Sequence, residues 1–88
     1  MNAIVTSKRL RVAVTNQILD VKGLNCPLPI LRARKALKDL AVGATLEVLA
    51  TDPGAVKDFE AFCRTTGNEL VESKLDGKVY SFIIRRAV

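Results

Sequence analysis

Apolar residues recur along this chain at two different spacings, and the places where the spacing changes mark its elements. Gln17 to Lys22 (Gln-Ile-Leu-Asp-Val-Lys) reads as a short strand that runs into a polar turn, Gly23-Leu24-Asn25. From about Pro27 to Ala41 the apolar positions Ile30, Ala33, Leu37 and Leu40 share one side of a helix, with Gly43 as the stop. Arg32, Lys35, Lys38 and Asp39 fall on the opposite side, and Arg34 on its flank. Between Ala44 and Ala50 the period drops to two: Leu46, Val48 and Ala50 alternate with Thr45 and Glu47, as in a half-buried strand. Thr51-Asp52-Pro53 then starts a second helix, with Asp52 as N-cap and Pro53 at the first helical position. On this helix Val56, Phe59, Phe62 and Cys63 share a face, and it ends near Gly67. The rest is a hairpin, Glu69 to Leu75 and Lys78 to Arg86, turned at Asp76-Gly77.

The order βαβαββ predicts an α+β fold, a two-layer α/β sandwich in which right-handed crossovers place two helices on one face of a mixed four-stranded sheet. The other face should be wet. At 88 residues the chain holds one domain and a modest core, burying roughly 60–65% of its unfolded surface. Residues 1–16 read as an N-terminal extension: Leu10, Val12 and Val14 alternate as a strand would, but the basic run and the terminal position predict a loose segment. The domain proper is therefore residues 17–88. No stretch approaches the ~20 apolar residues of a membrane span. The first residues also lack an apolar signal core, so a cytoplasmic location without membrane contact is expected.

Composition narrows the chemistry. The chain has no histidine, which excludes Cys-His dyads, Ser-His-Asp triads and the common histidine metal sites; two cysteines cannot hold zinc alone, so no metal is expected. In a reducing compartment the two cysteines should be free thiols. Cys63, on the apolar face of the second helix, reads as a core thiol that packs like a small hydrophobe. The formal charge of +5 is uneven: residues 1–43 hold eight basic residues against Asp20 and Asp39, whereas residues 44–88 hold six against seven acids. The positive half contains Cys26, where it would stabilise a thiolate and steer acidic partners.

Cys26 follows the turn and precedes Pro27-Leu28-Pro29. A proline disfavours the helical region for the residue before it, so Cys26 should stand just outside the helix with its sulfur in solvent. Both prolines fall in the first turn, where a missing amide proton costs little. A helix N-terminus favours an anion, which predicts a thiol pKa lowered from about 8.5. With only Leu28 and Ile30 left as nearby amide donors, the expected shift is modest. Sulfane sulfur transfer between thiols needs one accessible thiolate and a good leaving thiolate, and no general base.

Leu19-Asp20-x-x-Gly23-Leu24-x-Cys26-Pro27-x-Pro29, the Asp52-Pro53 helix start, Phe62-Cys63 and the terminal hairpin together resemble the TusA/SirA family of small sulfur-carrier proteins, over roughly residues 18–86. The resemblance implies the same βαβαββ sandwich and a sulfurtransferase role as a persulfide relay. Cys26 would accept sulfane sulfur as a covalent persulfide, with no other cofactor. Asp20, Gly23, Pro27 and Pro29 would be supporting motif residues. The implied donor is a cysteine desulfurase or a rhodanese-like protein, and the implied acceptor a relay protein of tRNA thiolation, molybdenum-cofactor synthesis or sulfur oxidation. Arg32 and Lys35 are candidates for docking an acidic donor.

Two other readings are open at this stage. A small basic domain could be a nucleic-acid-binding or regulatory module, although its only aromatics are Phe59, Phe62, Tyr80 and Phe82, of which the first two read as buried, so there is no aromatic platform and direct nucleic-acid binding is not expected. A dithiol redox protein would need Cys26 and Cys63 within disulfide reach.

Overall fold

The computed structural model describes residues 17–87, so the N-terminal extension, including the Leu10 to Val14 alternation, lies outside the described residues. The elements follow in the order β1 (Gln17–Asp20), α1 (Leu28–Lys38), β2 (Thr45–Ala50), α2 (Ala55–Thr66), β3 (Glu69–Asp76) and β4 (Val79–Arg85). They build one sheet with strand order β1-β2-β4-β3, in which β1 and β2 are parallel and the other pairs antiparallel. β2 and β3 run the same way with β4 seated between them. Both helices are thus crossovers between parallel strands, and both pack on one face of the mixed sheet.

The alternation in β2 decides which face that is. Leu46, Val48 and Ala50 are buried, and their register partners Ile84 and Phe82 on β4 are buried with them. Against this surface α1 sets Ala33 and Leu37, and α2 sets Ala55, Phe59, Phe62 and Cys63. Phe59 is the keystone: its ring stacks on Phe82 with centroids 4.7 Å apart and meets Phe62 edge-on at 6.3 Å. The opposite sheet face is mixed: exposed Ile18 lies beside its register partner Glu47, whose carboxylate accepts from the Ser81 hydroxyl at 3.1 Å, and Glu69 pairs with Arg85.

Several element ends differ from the sequence expectation, each for a local reason. β1 stops at Asp20 rather than Lys22, because the Asp20 carboxylate accepts the Lys22 amide at 3.0 Å and turns the chain. Helix α1 is shorter than Pro27 to Ala41: Pro27 is its N-cap, and past Lys38 the bonds tighten to i→i+3, with Leu40 N–H on the Leu37 carbonyl at 3.1 Å. Pro53 and Gly54 form a turn and not the first helical turn, so α2 starts at Ala55 with Gly54 as N-cap. Gly67 ends it in the left-handed region at φ +85°. In the hairpin Asp76 still pairs with Val79, so the turn is Gly77-Lys78, one residue later than expected, with Gly77 at φ +65°.

Candidate functional site

Cys26 lies in the connection from β1 to α1, where the parallel strands β1 and β2 both end at their carboxyl side. Open sheets tend to place sites there, because the loops leaving adjacent parallel strands converge. Val21 N–H donates to the Leu49 carbonyl at 2.9 Å, prolonging the β1–β2 pairing by one residue. Gly23, at φ +85°, reverses the chain and donates its amide to Thr51 Oγ1 at 2.9 Å. The Cys26 amide donates to Asp52 Oδ2 at 2.9 Å, while Asp52 Oδ1 accepts the Gly54 amide at 3.1 Å. One carboxylate thereby caps the approach to α2 and anchors the cysteine loop.

The motif residues take distinct places. Asp20 holds the turn through the Lys22 amide and a 3.7 Å ion pair with the Lys22 ammonium. The Cys26-Pro27 peptide is cis, Pro27 is exposed and Pro29 is buried. The Leu28 amide, expected to face the sulfur, instead donates to the Asn25 carbonyl at 2.9 Å and closes the turn. Arg32 and Lys35 are exposed on α1. Arg34, placed on the flank by helical spacing, lies over the Phe62 ring at 6.0 Å.

Cys26 is exposed and Cys63 buried, and both are free thiols. The Cys26 sulfur opens onto a groove of about 300 Å³ between α1 and α2, walled by Pro27, Ile30, Arg34, Asp58, Phe62 and Thr65 among others. A second depression continues the furrow along Arg34, Phe62 and Thr66 toward Arg86.

The electrostatics of the sulfur overturn the expectation of a lowered pKa. The Cys26 thiol is raised from its ordinary value, first by its hydrogen bond to the Asp58 carboxylate, then by partial loss of water, then by the negative charges of Asp58 and Asp52. The sequence reading counted the helix dipole and the basic residues of the same half of the chain. The groups that reach the sulfur are two carboxylates from the other half. Burial also raises the Cys63 thiol, as expected for a core cysteine. Thr51, Asp52 as an anchor of Cys26, Asp58 and Arg34 are the site members that sequence reasoning missed. Asp52 and Asp58 did carry a signal, acidic residues at and just after a helix start, but that signal reads as capping.

Among the described residues no cluster of histidine, cysteine or acidic side chains could hold a metal ion. Among them also, no helix is long and apolar enough to cross a membrane.

The family model described as Sulfurtransferase TusA matches residues 17–86. The sulfur carrier protein TusA of Allochromatium vinosum is 57% identical over 72 residues, covering 82% of this chain and 95% of that protein. A putative sulfur carrier protein of Neisseria meningitidis is 50% identical over 72 residues, covering 82% of this chain and 97% of its own. The crystal structure of a SirA-like protein from Desulfitobacterium hafniense superposes with a TM-score of 0.72 at 26% identity, over 82% of this chain and 99% of that one. The matched span runs from β1 through the Cys26 loop and both helices to the terminal hairpin, and the chain belongs to the TusA family of sulfur carriers.

Proposed function

We propose that Cys26 is the residue that carries the sulfur, and that the protein relays it between two partner proteins. The observation that carries this reading is the contrast between the thiols: Cys26 is exposed at the end of an open groove on a loop pinned to Asp52, whereas Cys63 is part of the core. In the loading step the Cys26 thiolate attacks the outer sulfur of a donor persulfide. The donor's S–S bond breaks, a new S–S bond forms on Cys26, and the departing donor thiolate takes up the proton that Cys26 gave up. The sum, donor–S–SH plus Cys26–SH giving donor–SH plus Cys26–S–SH, has no net oxidant or reductant. Unloading is the same exchange with an acceptor thiol.

The protein is a sulfurtransferase in this relay sense, and it needs no cofactor beyond the covalent sulfur. The donor is a cysteine desulfurase or a rhodanese-like protein. The acceptor is a protein of tRNA thiolation, molybdenum-cofactor synthesis or sulfur oxidation, and the relay operates in the cytoplasm. Asp20 and Gly23 shape the loop, Pro27 and Pro29 fix the exit of the thiol, and Arg32 and Lys35 meet an acidic donor surface.

The test is intact mass after incubation with a cysteine desulfurase and cysteine. One added sulfur is expected on the native chain and on Cys63→Ser, and none on Cys26→Ser. Native-level loading of Cys26→Ser would refute the assignment.

A further inference from the structure

Two carboxylates reach the Cys26 loop, and they are used differently. Asp52 spends both oxygens on backbone amides, those of Cys26 and Gly54. Asp58 is placed by α2, its own amide bonded to the Gly54 carbonyl at 3.2 Å, so its position beside the sulfur does not depend on the cysteine loop. It is half-buried and walls the same groove as Cys26. Among the described residues no lysine or arginine forms an ion pair with it, although Arg34 walls that groove too. It shares the wall of that groove with Cys26, and it is the first cause of the raised Cys26 thiol.

We propose that Asp58 is a positioning residue for sulfur transfer: its carboxylate accepts the Cys26 S–H bond, aims the sulfur into the α1–α2 groove and restrains it until a cationic group of the partner protein engages that carboxylate. The proposal rests on Cys26 being the sulfur-carrying residue. A carboxylate is too weak a base to keep a thiol's proton, so Asp58 does not act as the base of the exchange. Its effect is on the thiolate, which forms beside Asp58 from α2 and Asp52 from the preceding loop, with Arg34 of α1 as the cation lining the groove. An unloaded carrier guarded in this way meets free disulfides and oxidants mostly as a thiol, the unreactive form. A partner that brings a lysine or arginine to Asp58 removes the restraint at the moment of docking.

The test reads Cys26 by peptide mass in the full chain. Alkylation by iodoacetamide across pH gives the ionisation profile, and thiol–disulfide exchange with cystamine, a dication, and with 3,3′-dithiodipropionate, a dianion, gives the preference for charge. In each exchange the Cys26 thiolate displaces one half of the reagent as a thiolate, which takes up the proton. Asp58→Asn should move the alkylation profile to lower pH and lower the cystamine-to-dithiodipropionate rate ratio about fivefold, since one charge at about 8 Å in water shifts the two oppositely charged reagents in opposite senses by about 0.5 kcal/mol each. Asp58→Glu should keep both native values. In the native chain, whatever the variants do, that ratio should fall as salt is added. A profile or a ratio unchanged in folded Asp58→Asn, or a salt-independent native ratio, would overturn the proposal. Neither readout involves a persulfide, so the two readings separate. Failure of the native chain to load sulfur would refute the carrier assignment of Cys26, whereas normal loading with an unmoved pH profile would refute the role of Asp58.

Discussion

Asp52 accepts two backbone amides from different parts of the chain, which makes Asp52→Ala an informative perturbation. It removes the acceptor for the Gly54 amide at the approach to α2 and the acceptor for the Cys26 amide 26 positions away. Losing a helix-start acceptor costs about 1 kcal/mol. A second hydrogen bond to a charged acceptor is worth roughly 1.5 kcal/mol or more when buried, and less here because water can reach both amides. The expected loss is therefore about 2 kcal/mol, a large share of the roughly 4–13 kcal/mol of a domain this size. It corresponds to a fall in Tm of about 8–16 °C. Asp52→Asn keeps one carbonyl oxygen and should lose about half as much. The assay is urea unfolding, with a lower midpoint at unchanged slope. It is paired with native-state hydrogen exchange, in which the Cys26 amide should lose its protection in Asp52→Ala while the β2 and β4 amides lose only the global difference. Asp52→Ala within about 0.5 kcal/mol of native, or a Cys26 amide still protected in it, would refute the anchoring role.

Phe59→Ala should cost about 3–5 kcal/mol in the same urea assay, since Phe59 is fully buried between Phe62 and Phe82; a loss below about 2 kcal/mol would mean that the two rings close over the gap. Cys63→Ala should lose only about 1 kcal/mol and keep full sulfur loading, and slower loading at unchanged stability would assign Cys63 a part in transfer. Because burial raises the Cys63 thiol, the unfolded chain gives up that proton at a lower pH than the folded chain, and stability falls as pH rises above about 8.5. Cys63→Ala should reduce that alkaline slope when unfolding is measured from about pH 7 to 10, leaving the share of the likewise raised Cys26 thiol, and an unchanged slope would remove Cys63 as a source. Arg85→Ala removes an exposed pair with Glu69 and should change stability by less than about 1 kcal/mol.

What could be read without coordinates was whatever the chain encodes locally. The buried stripe Ala33, Leu37 and Leu40, the alternation Leu46, Val48 and Ala50, and the core thiol Cys63 all follow from periodicity, because a residue's side of a helix or strand is fixed by spacing alone. The element ends were less legible. Prolines and acids near a helix start look alike whether they occupy the first turn or the turn before it, so α2 was expected two residues early. The site's charge was illegible for a stronger reason. Local sequence surrounds Cys26 with basic residues, but Arg32 and Lys35 are exposed on α1 while Arg34 covers Phe62. The carboxylates that meet the sulfur arrive through the β2–α2 crossover, 26 and 32 positions on. Their approach is a property of the parallel pairing of β1 and β2, which no window around Cys26 contains.

That placement bears on both halves of the transfer. A thiol with a raised pKa is scarce as a thiolate at neutral pH, which slows its attack on a donor persulfide; the same thiol is a poorer leaving group, which slows the loss of sulfur to a stray thiol once loaded. Acceptance and release share one transition-state arrangement read in opposite directions, so a group that destabilises the Cys26 thiolate slows both. For a carrier this symmetry is useful. A sulfur atom picked up easily from any source would be lost as easily to any sink, and a chain without histidine lacks the side chain that ordinarily titrates near neutral pH and could bias one direction. The selectivity then has to come from the partner. If a partner's cation neutralises Asp58 on docking, the thiolate is stabilised for attack in the donor complex and for departure in the acceptor complex, and one carboxylate serves both steps. The corresponding expectation is that Asp58→Asn speeds sulfur loading from a small-molecule persulfide and also shortens the lifetime of the loaded chain in the presence of free thiol. A gain in one rate without the other would break the symmetry on which this account depends.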